Sequence, residues 1–151
     1  MTVKVTPEPF IPHSTAARLV PSGVGSVSNT AYQPWPPAGV GGPVQVTGFV
    51  KQRSDTKLIV SIFGSGYPVT VTGHLYTLGV RVNAANSDVH VKFANEVINN
   101  EHDLRGGEIE ITGVPAGTYT IDGRLKGDNT GTSAYQTDTN DSWTIQVTET
   151  L

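Results

Sequence analysis

The four histidines, His13, His74, His90 and His102, are the first residues to test for chemistry. None stands four residues from another, and no His-x-His occurs, so a zinc site has no local support in the chain. His90 alternates with Val89 and Val91 and reads as a solvent-facing strand residue. His102 sits in Asn99-Asn-Glu-His-Asp103, a loop in which a histidine flanked by acids could titrate or coordinate a cation. A second cluster of ligand types follows Gly127. Asp138-x-Asn140-x-Ser142 with Glu149 at the twelfth position has the outline of a calcium loop, but Trp143 stands where that loop requires glycine. The oxygens of Asp128, Asn129, Asp138, Asn140 and Asp141 could hold a hard cation less regularly, and a solvated loop is the plainer reading. No metal ligand is assigned. The chain has no cysteine, which removes thiolate nucleophiles, disulfides and Cys-ligated zinc.

Nucleophilic and acid–base catalysis find equally little. No G-x-S-x-G elbow is present, Gly64-Ser-Gly66 is too short to be one, and no Ser, His and Asp fall in a triad order. Glu96 and Glu101 form one carboxylate pair. Glu108 and Glu110 form another that projects from one strand face, into water rather than a cleft. No phosphate-binding glycine loop occurs. The expectation is a protein that is not an enzyme, with no catalytic residue and no cofactor. Tyr67, Tyr76, Tyr135, Trp35 and Trp143 could make a sugar-stacking platform, although in alternating strands such rings more often belong to a core or a subunit interface. Trp143 is expected in the core.

The elements that must carry these residues are strands. Glu108-Ile-Glu-Ile-Thr112 and Thr118–Lys126 both alternate with period two around Val114-Pro-Ala-Gly117, which predicts a hairpin. Further strands are expected at Val44–Lys51 with a bulge at Gly48, at Lys57–Phe63 as a central strand, at 69–73, at 74–82, at Val89–Phe93 and at 142–149. Gly64–Pro68 and 127–141 read as loops. About eight strands spaced near ten residues predict an all-β fold, a single antiparallel β-sandwich of jelly-roll type over residues 44–151.

Residues 1–43 differ in composition. They hold eight of the ten prolines and only three charged side chains, Lys4, Glu8 and Arg18. Such a segment should be extended, with at most a helical turn near Thr15–Leu19. It nevertheless carries Phe10, Ile11, Leu19, Tyr32 and Trp35, which need a surface to cover them. The expectation is an N-terminal arm lying across another subunit. The net charge of −3 offers no footprint for nucleic acid, and no run approaches the roughly 20 apolar residues of a membrane span. The N-terminus lacks the apolar core of a signal peptide, so the chain is expected to be cytosolic when made.

Ser54-Asp-Thr-Lys-Leu-Ile-Val60, Val89-His-Val-Lys-Phe93, His102, Gly113-Val-Pro-Ala-Gly-Thr-Tyr-Thr-Ile121 and Asp141-Ser-Trp-Thr-Ile-Gln-Val-Thr-Glu149 occur in that order. Together they resemble the trimeric jelly-roll modules of tailed-bacteriophage virion proteins, minor tail and head-decoration proteins among them, which are similar to the tumour necrosis factor-like fold. The resemblance covers about the last hundred residues. It implies a largely non-catalytic homotrimer located in the phage particle, whose arm contacts other virion proteins. The alternative is a carbohydrate-binding or receptor-binding module of a tail tip, taking host-surface sugar.

Overall fold

The computed structural model describes residues 9–27, 30–69, 75–82, 89–96, 102–127 and 134–151. Eleven strands occur among them: β1 (His13–Leu19), β2 (Gly25–Val27), β3 (Gln33–Pro34), β4 (Gln45–Lys51), β5 (Lys57–Val69), β6 (Leu75–Val82), β7 (Val89–Glu96), β8 (Asp103–Ile111), β9 (Gly117–Gly127), β10 (Ala134–Thr137) and β11 (Trp143–Thr150). One short 3-10 turn, Ala38–Val40, separates β3 from β4.

Four antiparallel pairs nest inside one another. β1 pairs with β11, β4 with β9, β5 with β8 and β6 with β7. The outermost partners are His13 and Glu149, and the innermost are Arg81 and Val89. The chain is thus a long folded ribbon. β11–β5 and β9–β6 pairing rolls it into two layers, β1–β11–β5–β8 and β4–β9–β6–β7. This is the topology of a jelly roll, and the antiparallel sandwich expected from the sequence is the fold observed. Eight strands build the two layers. The short β10 continues beside the far end of β5 with β2 next to it, and β3 lies along β9.

Alternation drives the packing. Leu58, Val60 and Ile62 of β5, Ile121 and Leu125 of β9, and Trp143, Ile145 and Val147 of β11 all face one core. Burying each such side chain contributes about 1.5–3 kcal/mol. In β4 the register slips between Val46 and Phe49, and Gly48 takes φ 69°, so the bulge expected there is present and returns Phe49 to the core.

Four expectations need correction. The predicted 108–126 hairpin is two strands in opposite layers. β8 pairs with β5 and β9 pairs with β4 and β6, and residues 112–116 cross between the sheets with Val114 buried. Both strands alternate because both face the same core from opposite sides, not because they face each other. Gly64–Pro68 is not a loop but the continuation of β5. Its glycines point inward, where Trp143 and Tyr135 occupy the space that side chains would need. The 127–141 stretch contains β10. Finally, residues 13–43 do not form a separate arm. β1, β2 and β3 belong to the same two sheets, so the sandwich begins at His13 rather than Val44 and no helical turn forms at Thr15–Leu19. The open edge of β11 demands a partner, and His13–Leu19 supplies it. The strand expected at 69–73 lies outside the described residues apart from Val69, the last residue of β5.

Candidate functional site

Two features that are far apart in sequence meet at one end of the β1–β11–β5–β8 sheet. His102 immediately precedes β8, and residues 138–142 join β10 to β11. The 138–142 turn is built by its own side chains. Asp141 N–H donates to the Asp138 carbonyl at 3.0 Å, Asn140 N–H donates to Asp138 Oδ1 at 2.8 Å, and Asp138 N–H donates to Asp141 Oδ2 at 2.7 Å. Ser65, which faces outward on β5 between the two inward glycines, donates its hydroxyl to Asp141 Oδ1 at 2.6 Å.

His102 Nδ1 lies 2.9 Å from the same Asp141 oxygen. Asp141 is only 2% exposed. Burial alone would raise its pKa, but the Ser65 hydroxyl, the Asp138 N–H and His102 together hold it below the ordinary carboxylate range. An ionised Asp141 only accepts, so His102 carries its proton on Nδ1 and turns Nε2 toward Asp138 Oδ2, 3.8 Å away. The Tyr67 ring packs on the imidazole with centroids 4.4 Å apart. Burial and then the charges of Asp138 and Asp141 push the Tyr67 hydroxyl pKa upward. One ligand atom each from His102, Asp138 and Asp141 lie within 4.8 Å of one another.

A second buried polar group closes the opposite end of β11. Glu149 accepts from Gln52 N–H at 2.8 Å, Arg53 N–H at 3.0 Å and the Thr56 hydroxyl at 2.5 Å. Lys51 Nζ is 3.9 Å from the carboxylate and donates to Thr56 Oγ1 at 2.7 Å and to the Arg53 carbonyl. His13 stacks on Phe49, bonds the Val50 carbonyl through Nε2 at 2.9 Å, and accepts from Gln52 at Nδ1. This group ties β1, β4 and β11 together around a satisfied carboxylate. It explains why the Glu149 half of the calcium-loop outline does not apply: Glu149 is spent on the 52–56 turn. On the outer face of β9, Asp122 bridges Arg81 at 3.1 Å and Arg124 at 2.7 Å.

The five residues expected to make an assembly arm divide. Trp35 is fully buried in the core, and Leu19 is half-buried against it. Tyr32 is half-buried with Lys126 Nζ 4.8 Å from its ring centroid. Phe10 is half-buried, while Ile11 remains 69% exposed. Trp35 is therefore corrected from arm to core. The proposed sugar platform dissolves in the same way: Trp35, Tyr76, Tyr135 and Trp143 are buried, and Tyr67 lies on the other side of the sheet against His102. His74, His90, Glu96, Glu101, Asp128 and Asn129 have side chains outside the described residues. Ser65 and Tyr67 were not singled out with His102 by sequence. The legible signal was the Gly64-Ser-Gly-Tyr67 alternation, which sends Ser65 and Tyr67 to one face.

Among the described residues no helix is long and apolar enough to cross a membrane. No protein-family model matches the chain, and no curated protein matches it by sequence. Solved structures do. The infectious bursal disease virus Gx strain structure aligns with TM-score 0.53 at 13% identity, covering 97% of this chain and 35% of that one. The VP2 subviral particle of infectious bursal disease virus aligns with TM-score 0.50 at 12% identity, covering 98% and 40%. T=1 particles derived from the same virus align with TM-score 0.50 at 13% identity, covering 98% and 39%. The chain spans well under half the length of these proteins, and likeness at such identity speaks to the shared jelly-roll fold.

Proposed function

We propose that this chain is a non-enzymatic structural component of a virion, assembled as a homotrimer and placed on the tail or capsid of a phage as a minor tail or decoration protein. The observation that carries the reading is the complete nested jelly roll spanning nearly the whole chain, a fold it shares with the particle-forming proteins of infectious bursal disease virus. Among the described residues β1 and β8 each pair with a strand on one side only, which favours assembly, since a closed symmetric oligomer covers such edges. Within the expected arm the anchoring role narrows to Phe10 and Ile11, apolar residues just ahead of β1. Four of the five rings that the sugar-binding alternative would use lie in the core.

Two measurements test this. Light scattering on the purified chain should give three times the mass of one chain, and a monomer would remove the trimer. Quantitative mass spectrometry of purified particles from the genome that carries this chain should recover it at a fixed copy number divisible by three. Its absence from the particles would overturn the virion assignment.

A further inference from the structure

We propose that His102 Nε2 and Asp138 Oδ2 are the protein ligands of a divalent transition-metal site of the zinc type, with Asp141 fixing the imidazole from behind. The geometry leads there in three steps. First, Asp141 holds the His102 ring by its Nδ1–H at 2.9 Å, and Ser65 and the Asp138 N–H hold Asp141 in turn. This is the carboxylate–histidine arrangement that orients a metal-binding imidazole and raises its basicity. Second, the other ring nitrogen lies 3.8 Å from a carboxylate oxygen, Asp138 Oδ2. That gap is too long for a hydrogen bond from a protonated Nε2. It is shorter than the roughly 4.2 Å sum of one metal–nitrogen and one metal–oxygen bond, so a single ion reaches both atoms at a bent angle. Third, the Tyr67 ring packed on the imidazole restricts its rotation, so Nε2 stays aimed at Asp138.

The donor set selects the class of ion. Asp138 Oδ1 is taken by Asn140 N–H, and both Asp141 oxygens are taken by donors. One imidazole nitrogen and the second Asp138 oxygen remain, the Asp138 carboxylate also accepting from the Tyr67 hydroxyl and keeping a lone pair for an ion, with water to complete the coordination. Calcium needs six to eight oxygens, whereas zinc and its first-row neighbours favour imidazole. His102 is exposed, so the ion has a direct path.

The test uses tag-free full-length protein, with zinc chloride titrated by calorimetry and cobalt chloride followed by its visible absorption. One zinc per chain is expected, together with a higher melting temperature at saturating zinc. His102→Gln and Asp138→Asn should each abolish the calorimetric signal. Asp141→Asn should weaken binding about 10- to 100-fold while leaving both ligands in place. Trp fluorescence and a cooperative melt in the His102→Gln and Asp138→Asn proteins confirm that they are folded; both sites are partly exposed. Lack of saturable binding up to millimolar zinc would overturn the proposal and leave a simple histidine–carboxylate cluster. So would zinc binding that survives His102→Gln, or calcium binding in place of zinc. None of these outcomes touches the virion assignment.

Discussion

Trp35 meets Trp143 edge-on, with ring centroids 5.6 Å apart and planes at 87°. The contact joins the segment before β4 to the first residue of β11, so the Pro-rich N-terminal region and the C-terminal strand share one core. Trp35 also lies 5.5 Å from the Tyr135 ring, and Tyr135 lies 5.2 Å from Tyr76. Four aromatic rings from both layers thus form the centre of the sandwich. Edge-to-face pairs of this kind add about 0.5–1.5 kcal/mol beyond their buried area.

Trp35→Ala should therefore destabilise the fold by about 3–5 kcal/mol. Removing residues 1–43 should abolish cooperative folding, because it takes β1, β2 and β3 as well as Trp35. Urea unfolding followed by circular dichroism measures both. A truncated chain that unfolds at the urea concentration of the full chain would show that the N-terminal strands are dispensable.

Apart from β10 and the Gly64–Val69 end of β5, the strands of residues 44–151 were legible because period-two alternation survives wherever one face is buried. Val44, Val46, Ile109, Ile111, Ile121, Trp143 and Ile145 all lie inside as their spacing demanded. The partner of each strand was not legible. Alternation reports which face is apolar, not which neighbour bonds the backbone, and so β8 and β9 read as a hairpin. β1 was hidden for a different reason: at an edge, His13-Ser-Thr-Ala-Ala-Arg-Leu19 has only Ala17 and Leu19 packed against the core. Of the His102 site, each half was visible as a ligand-bearing loop. Their meeting depends on the β5–β8 and β5–β10 registers, which no local pattern encodes.

Gly64→Ala should be costly although it adds one methyl group. The new Cβ would enter the Trp143 ring and press on the Ser142 carbonyl, and neither can retreat from a packed core and a sheet. Overpacking of this kind costs about 1–3 kcal/mol. Gly39→Ala, where nothing lies within 4 Å, is the control and should shift the melting temperature little. Equal melting temperatures for the two variants would show that Trp143 has room to move.

Ile11→Asp separates assembly from folding. The side chain is largely in solvent, so stability should change by less than about 0.5 kcal/mol. If residues ahead of β1 anchor the chain to its particle, the variant should fold and keep its solution mass yet be depleted from purified particles. Normal incorporation would remove Ile11 from the anchor.

Acid should unfold the protein through Glu149. Burial would raise the pKa of this carboxyl, but the Gln52 N–H, the Thr56 hydroxyl, the Arg53 N–H and the Lys51 charge lower it below its ordinary 4.5. A group whose pKa is depressed on folding contributes stability above its unfolded pKa and loses it as pH falls through the folded value. Asp141 acts in the same direction from its ordinary 3.8. Stability should thus hold near neutrality and fall below about pH 4.5, each group contributing a slope of up to about 1.4 kcal/mol per pH unit. Glu149→Gln should remove one such contribution, giving a shallower acid limb as well as lower stability at neutral pH, where Lys51 is left buried without its counter-charge. Urea midpoints from about pH 3 to pH 7 distinguish the two proteins. Parallel acid limbs for both would show that the proton binds elsewhere.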